Sequence, residues 1–396
     1  MELKLQFGFI LIVVQNIWMY NAQEVFGYCT TPGEQSGSCI YLKECDYLFE
    51  LVQMQPISTS NRVLLQNSQC GYRNGQVLIC CANSRRLPQS RPVWGNQGQP
   101  PAPSPSPTTP RPKPFNSKLL PQAPNCGDNF GDRIVGGVTT RKREFPWLAL
   151  IEYTKPGNVI GHNCGGSLIN NRYVITAAHC VNAIPRDWRL TGVRLGEWDT
   201  STNPDCTKEK NGRDDCNDPY VDNPVIEKIV HPDYSASSRD QLNDIALLRL
   251  RDPVTYSDFI SPVCLPIQAK QRDEIFLGRK MVVAGWGRTE TNATAQFKLK
   301  AEIEAVTLAE CNRVYNSQRR IVTSSQICAG GVEGIDSCRG DSGGPLVLEE
   351  NYDGYANYYL TGIVSYGPTQ CGLKDFPGVY TRVAAYLDFI ERNVRP

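Results

Sequence analysis

The chain is poor in net charge, in histidine and in long apolar runs, and each shortage removes a class of function. Its 396 residues carry 41 Lys plus Arg against 40 Asp plus Glu, a net charge near +1. That balance excludes a protein that grips nucleic acid through bulk charge. There are 3 histidines, His162, His179 and His231, so imidazole chemistry has a very short roster. Beyond the N-terminus no stretch approaches the length of apolar chain that crosses a bilayer, so no membrane span is expected. What is abundant is cysteine. The 16 cysteines are even in number and leave no thiol over if all are paired. With 40% apolar residues the chain can bury a core, and its length suggests about two or three domains.

Cysteine at this density suits an oxidising compartment. Lys4 precedes an apolar run, Phe7–Val14, and a second patch at Ile17–Tyr20. Gln15 and Asn16 interrupt it, so it is too short to anchor and reads as a secretory signal peptide over 1–22, cut near Ala22. The mature protein is expected to be secreted and extracellular.

Three segments follow. Residues 23–82 hold Cys29, Cys39, Cys45, Cys70, Cys80 and Cys81. A module this small buries little core and leans on disulfides. Six cysteines allow about fifteen connectivities, and spacing does not choose among them. Residues 83–133 form a linker in which Pro100–Pro114 reads PPAPSPSPTTPRPKP, a semi-rigid polyproline spacer. Residues 134–396 show short apolar runs broken by Gly, Pro, Asn and Asp. Strands are predicted around Tyr173–Ala177, Ile245–Leu250, Met281–Ala284, Leu346–Leu348 and Leu360–Val364, the pattern of an all-β barrel or sandwich. Ala384, Leu387, Phe389 and Ile390 recur at helical spacing and predict a C-terminal helix.

Three motifs carry chemistry: TAAHC at Thr176–Cys180, DIALL at Asp244–Leu248 and GDSGGP at Gly340–Pro345. Amide hydrolysis by serine needs a base near neutral pKa to take the hydroxyl proton, and histidine suits. A buried carboxylate then orients the imidazole. Glycines around the serine let main-chain N–H groups approach a developing oxyanion. His179, Asp244 and Ser342 occur in that order. His162 and His231 lack such context and receive no chemistry.

With these motifs the sequence resembles the chymotrypsin/trypsin family of serine proteases. The resemblance implies a double six-stranded β-barrel with a C-terminal helix, and a trypsin-like endopeptidase needing no cofactor for catalysis. It implies His179, Asp244 and Ser342 as the catalytic triad, with Gly340 and Ser342 as oxyanion donors. Asp336 then floors a pocket for Arg or Lys, walled by Ser365, Tyr366, Gly367 and Gly378, with Tyr366 where relatives often carry Trp. Arg133 and Ile134 read as an activation site: after cleavage the Ile134 amine pairs with Asp341, so the chain as written is a zymogen.

The N-terminal cysteine spacing resembles the clip domain of arthropod clip-domain serine proteases, such as prophenoloxidase-activating enzymes and Easter. The implied pairs are Cys29–Cys80, Cys39–Cys70 and Cys45–Cys81 in the clip. In the protease they are Cys164–Cys180, Cys311–Cys328 and Cys338–Cys371, with Cys126–Cys264 tethering the cleaved light chain. Cys206 and Cys216 are left for each other. Family calcium loops fall at 197–205, which implies a structural Ca2+ held by side chains of Glu197 and Asp205 and main-chain oxygens of Asp199 and Thr202. Asn292 opens an N-x-S/T sequon, a glycan acceptor.

The implied partners are a protein substrate (a zymogen or cytokine precursor), an upstream Arg-specific protease, a serpin inhibitor and a clip-bound protein. The setting implied is an arthropod immune cascade of melanisation or Toll type, in haemolymph-like fluid. The competing reading is a clip-domain cofactor or microbial-surface adaptor with a protease-like domain.

Overall fold

The computed structural model describes residues 28–31, 36–53, 61, 64–65, 67–73, 76–82, 118–128, 138–209, 212–272, 274, 276–288, 294–334, 338–352, 355–368 and 372–396. The signal segment, most of the linker, Arg133, Ile134, Asn292, Asp336 and Cys371 lie outside the described residues. The chain divides into two compact units, Met1–Gln89 and Ser90–Pro396.

The first unit is a small sheet with one helix. Strands β1 (Tyr28–Thr30), β2 (Ser36–Tyr41), β3 (Gln69–Arg73) and β4 (Gln76–Ala82) lie in the antiparallel order β1-β2-β4-β3, and α1 spans Asp46–Gln53. Its core is little more than Ile40, Cys45, Leu48 and Ile79. So few buried side chains do not hold a fold by themselves, and three disulfides supplement them: Cys29–Cys80, Cys39–Cys70 and Cys45–Cys81. Side chains alternate faces along a strand, which is how adjacent Cys80 and Cys81 on β4 reach different partners.

The second unit is built almost wholly of strands. They are β5 (Val138–Thr139), β6 (Leu148–Lys155), β7 (Val159–Asn170), β8 (Tyr173–Thr176), β9 (Arg189–Leu195), β10 (Cys206–Lys208), β11 (Asp214–Cys216), β12 (Val221–Val230) and β13 (Ala246–Leu250). There follow β14 (Lys280–Gly285), β15 (Leu299–Val306), β16 (Gln326–Ala329), β17 (Pro345–Tyr352), β18 (Tyr355–Tyr366) and β19 (Gly378–Arg382). One barrel closes in the order β12-β13-β8-β7-β6-β9. The other runs β14-β17-β18-β19-β16-β15, closed by the β14–β15 pairing, with β5 added along β15. These are the two six-stranded antiparallel barrels of a trypsin-like fold. The five predicted strands fall on β8, β13, β14, β17 and β18; the last two run longer because a hairpin continues them past their apolar centres, pairing Tyr352 with Tyr355.

The helices are short. α2 (His179–Asn182) links β8 to β9 within the first barrel. At α3 (Leu308–Tyr315) the sequence Thr-x-x-Glu forms a capping box: the Thr307 hydroxyl accepts from Glu310 N–H while Glu310 accepts from Thr307 N–H. The C-terminal helix α4 (Leu387–Asn393) follows a turn of 3-10 helix over Val383–Tyr386 and buries Leu387, Phe389 and Ile390 in the main core. His231 packs on that helix, 4.9 Å from the Phe389 ring, a structural role.

Segment 118–128 belongs to the second unit. The Cys126–Cys264 disulfide ties it down, Gly127 N–H donates to Pro262 O, Tyr358 N–H donates to Gly127 O, and Asn357 donates to Cys126 O. Cys206–Cys216 closes the two-stranded β10–β11 ribbon.

Candidate active site

The site begins with two strands that are too apolar to be anywhere but inside. All four residues of β8 are buried, and the chain turns at its end into α2, which sets His179 at the helix start. Tyr153 Oη donates to Cys180 O at 2.8 Å, and the Cys164–Cys180 disulfide staples α2 to β7. Ile245, Ala246, Leu247 and Leu248 are wholly buried, and this run draws the preceding Asp244 inside with it, to 0% exposure. A buried carboxylate must be met by donors. His179 N–H lies 2.9 Å from Oδ1, and His179 Nδ1 and Ser365 Oγ lie 2.8 and 2.5 Å from Oδ2. Thr381 Oγ1 donates to Asp244 O at 2.8 Å. An ionised carboxylate only accepts, so Nδ1 of His179 carries the proton and Nε2 is left as the basic nitrogen.

Ser342 sits in the tight loop that leads into β17. Gly165 N–H donates to Ser342 O at 2.8 Å, Gly343 N–H to Val364 O at 2.8 Å, and Gly344 N–H to Asp341 O at 2.8 Å. Gly343 has φ +78°, and a Cβ there would strike Thr176 Oγ1 and Gly165 O, so only glycine lets the loop lie this close to the first barrel. The Cys180 sulfur is 3.6 Å from Ser342 O and 3.7 Å from His179 Nε2, which places the serine main chain and the basic nitrogen around one disulfide sulfur. Among the described residues, no acceptor takes the N–H of Gly340 or Ser342. Cys164, His179 and Cys180 have metal-like spacing, but both sulfurs are spent in the disulfide, leaving no thiolate ligand.

Asp341 turns away from Ser342. Its carboxylate accepts from Gly287 N–H at 2.8 Å and Cys338 N–H at 2.9 Å, and burial pushes its pKa above the usual carboxylate range against the pull of those two bonds. It fills the space beside Gly285 and Gly287, where any Cβ would overlap it. The walls assigned to the pocket come together: Tyr366 pairs with Val379, and a Cβ on Gly367 would lie 3.8 Å from the Gly378 Cα. Cys338 is disulfide-bonded, and Cys311 is bonded to Cys328.

The acidic loop after β9 is a second charged centre. Glu197 and Asp205 are both buried. Asp205 Oδ2 accepts from Trp198 and Asp199 N–H, and its Oδ1 accepts from Thr202 Oγ1. Glu197 accepts from Arg194 and Trp198 N–H. Burial, then the like charge of Asp205, raises the Glu197 pKa, with Arg194 opposing. Lys298 is buried alongside and its pKa falls to about 8, driven by burial and resisted by Glu144, Glu197 and Asp205. His162, half-buried on β7, is pushed below the usual histidine range by burial and then by Arg194. Sequence reasoning gave Ser365 to the pocket wall and missed its bond to Asp244. It missed Thr381 and Lys298 altogether, since neither lies in a motif.

Comparison with known proteins agrees with this architecture. The trypsin family model matches residues 134–390, and the model of the regulatory CLIP domain of proteinases matches 29–81. The chain is 67% identical to melanization protease 1 of Drosophila melanogaster, over 94% of each chain. It is 49% identical to serine protease ea of the same fly, over 93% of this chain and 91% of that one. The crystal structure of the Drosophila Grass clip serine protease of the Toll pathway superposes with a TM-score of 0.61 at 31% identity, covering 93% of this chain and 97% of that one.

Proposed function

The chain belongs to the trypsin family of serine proteases and carries a regulatory CLIP domain, and on that premise we propose that it is a secreted zymogen cutting after Arg or Lys in an extracellular cascade. It is a trypsin-like serine endopeptidase. The observation that carries the mechanism is the buried Asp244 carboxylate holding His179 Nδ1 at 2.8 Å.

In the mechanism the Ser342 hydroxyl attacks the scissile carbonyl carbon while its proton passes to His179 Nε2. Asp244 stabilises the imidazolium that results. The oxyanion receives the N–H groups of Gly340 and Ser342. His179 then gives the proton to the leaving amine, the peptide C–N bond breaks, and an acyl-enzyme remains on Ser342. Water, deprotonated by His179, attacks that ester and releases the acid.

Specificity rests on Asp336, whose carboxylate suits a guanidinium best, within walls of Ser365, Tyr366, Gly367 and Gly378. Cleavage after Arg133 frees the Ile134 amine, which pairs with Asp341; the nest already built around that carboxylate supports this. A buried ion left without its partner costs about 3–5 kcal/mol, enough to switch the loop. Cys126–Cys264 keeps the N-terminal portion attached after the cut. An upstream Arg-specific protease supplies the cut, and a serpin ends the activity. The likeness to melanization protease 1 and to a Toll-pathway clip protease supports a setting in arthropod immunity, with a zymogen or cytokine precursor as substrate. Among the described residues no helix is long and apolar enough to cross a membrane. Asn292 is the proposed glycan site.

A calcium ion suits the 197–205 loop. Glu197 and Asp205 are both buried, the like charge of Asp205 adds to burial in raising the Glu197 pKa, and their oxygens together with Asp199 O and Thr202 O make an all-oxygen donor set. A thermal shift on adding Ca2+, absent with Mg2+ and in Glu197→Gln, supports it; no shift removes it.

The decisive test is the full chain cut after Arg133 and assayed on peptides ending in Arg, Lys or Phe. Arg is expected to lead, Lys to follow, and Ser342→Ala to be inert. Preference for Phe overturns the specificity, and turnover by Ser342→Ala overturns the mechanism.

A further inference from the structure

An arginine lies stacked on Tyr366, the residue that follows Ser365. After α3 a turn of 3-10 helix over Asn316–Gln318 ends at Arg319, whose left-handed conformation (φ +56°) turns the chain back on itself. Arg320 N–H then bonds Tyr315 O at 3.2 Å. The Arg320 guanidinium lies over the Tyr366 ring, its carbon 4.5 Å from the ring centroid. That ring is braced by its neighbours: Tyr315 meets it edge-on at 5.4 Å, Phe376 meets Tyr315 at 5.1 Å, and Tyr315 Oη donates to Pro377 O at 2.7 Å. The platform is therefore rigid, and a guanidinium on a rigid aromatic face is a pre-oriented cation.

The platform adjoins the chemistry through two short links. Tyr366 directly follows Ser365, whose hydroxyl is bonded to Asp244. Asp240, four residues before Asp244, accepts from Ile321 N–H at 2.8 Å, and Gln326 donates to Asp240 O at 3.0 Å. The segment that carries Arg320 is thus stitched to the segment that carries the triad carboxylate. The Arg320 and Tyr366 side chains engage each other, Gln326 and the charge of Asp240 also reach Tyr366, and among the described residues no carboxylate lies within ion-pair distance of the half-buried Arg320. A guanidinium held on an aromatic ring with no ion-pair partner is placed to take an acid brought from outside.

We propose that Arg320, held on Tyr366, reads an acidic side chain at the third or fourth substrate residue before the scissile bond. This rests on the proposed function, in which Tyr366 and Gly367 border the substrate ahead of the pocket. An extended peptide advances about 3.3 Å per residue and presents alternate side chains to one wall. Under the proposed function, residues beyond the second are those that reach Tyr366. An Asp or Glu there gains a charge-assisted bond to the Arg320 guanidinium, and a Lys or Arg meets like charge. The site would therefore favour targets with an acid upstream of the cleaved Arg, a sequence filter added to the pocket's own preference.

The test uses the full chain cut after Arg133 and fluorogenic peptides ending in Arg, with Glu, Ala or Lys placed in turn at the second, third and fourth upstream positions. The readout is the Glu-to-Lys ratio of kcat/KM within each variant, which cancels differences in active fraction. The wild type is expected to show a ratio of about tenfold or more at the third or fourth position, falling as salt rises. In Arg320→Gln the ratio drops to about one, and in Arg320→Glu it inverts. Arg319→Gln, an equal loss of charge one residue away, leaves it in place. Equal rates for Glu and Lys in the wild type, or a preference that survives Arg320→Gln, overturn the subsite alone. Absence of cleavage after Arg altogether overturns the proposed function and the subsite with it.

Discussion

Replacing Ser365 by alanine tests how the Asp244 carboxylate is held. The hydroxyl donates to Oδ2 at 2.5 Å, the same oxygen that faces His179 Nδ1, and Asp244 has no exposure to water. A hydrogen bond to a charged group contributes about 1.5–3 kcal/mol to stability, and its loss here has no solvent to make it good. For a chain of this size that is a fall of about 3–12 °C in Tm. Catalysis responds differently. The bond exists before and during the reaction, so its removal cancels in large part from the barrier. One donor fewer leaves more of the carboxylate charge for the imidazolium forming in the transition state. The expected outcome is a split: Tm falls, while kcat/KM changes by less than about tenfold. Calorimetry and initial rates on the cleaved enzyme measure both. A Tm that holds while kcat/KM drops a hundredfold or more would refute the reasoning, because it would make Ser365 a participant in the reaction.

Other perturbations address the rest of the molecule. Gly287→Ala would push a Cβ into the Asp341 carboxylate, so cleavage after Arg133 is expected to proceed and activity to stay below about 1% of wild type; normal activity contradicts the nest. Burial holds Lys298 at about 8 against 10.5 when free. The unfolded chain then binds more protons, and stability in EDTA should rise by about 2 kcal/mol from pH 7.5 to 9.5. Urea midpoints in Lys298→Met should lose that rise, and an identical pH dependence in both chains would exclude Lys298 as its source. In Cys126→Ser/Cys264→Ser, the two pieces produced by the Arg133 cut should part on a non-reducing denaturing gel, whereas the wild-type pieces part only after reduction. Co-migration in the double variant would mean that another bond joins them.

The fold was legible because its signals are local. Short apolar runs between Gly, Pro, Asn and Asp predict strands, and β8, β13 and β14 sit where those runs do. The Ile245–Leu248 run is enough to say that Asp244 is carried inside, since a strand so apolar has no exposed face to offer. Adjacent Cys80 and Cys81 demand different partners by alternation alone, though which partners was a matter of resemblance. Contacts made across the barrels leave no such trace. Ser365 meets Asp244 across 121 residues and Thr381 meets its carbonyl across 137, and neither residue type nor spacing announces it. Arg320 lies in no motif, and its stacking on Tyr366 depends on an aromatic cluster of Tyr315, Tyr366 and Phe376 assembled from separate segments. Lys298 lies in no motif, and the acids around it come from two other segments, Glu144 from one and Glu197 and Asp205 from the 197–205 loop.

The central claim is that Ser342 becomes a nucleophile through His179 and Asp244 once the chain is cut after Arg133. Mass spectrometry after exposure to a fluorophosphonate tests it directly, since the reagent bonds the activated serine oxygen and expels fluoride. One adduct on Ser342 is predicted in the cleaved chain, with none in His179→Ala and little before cleavage. An adduct on another residue, or equal labelling of the uncut chain, would contradict the account.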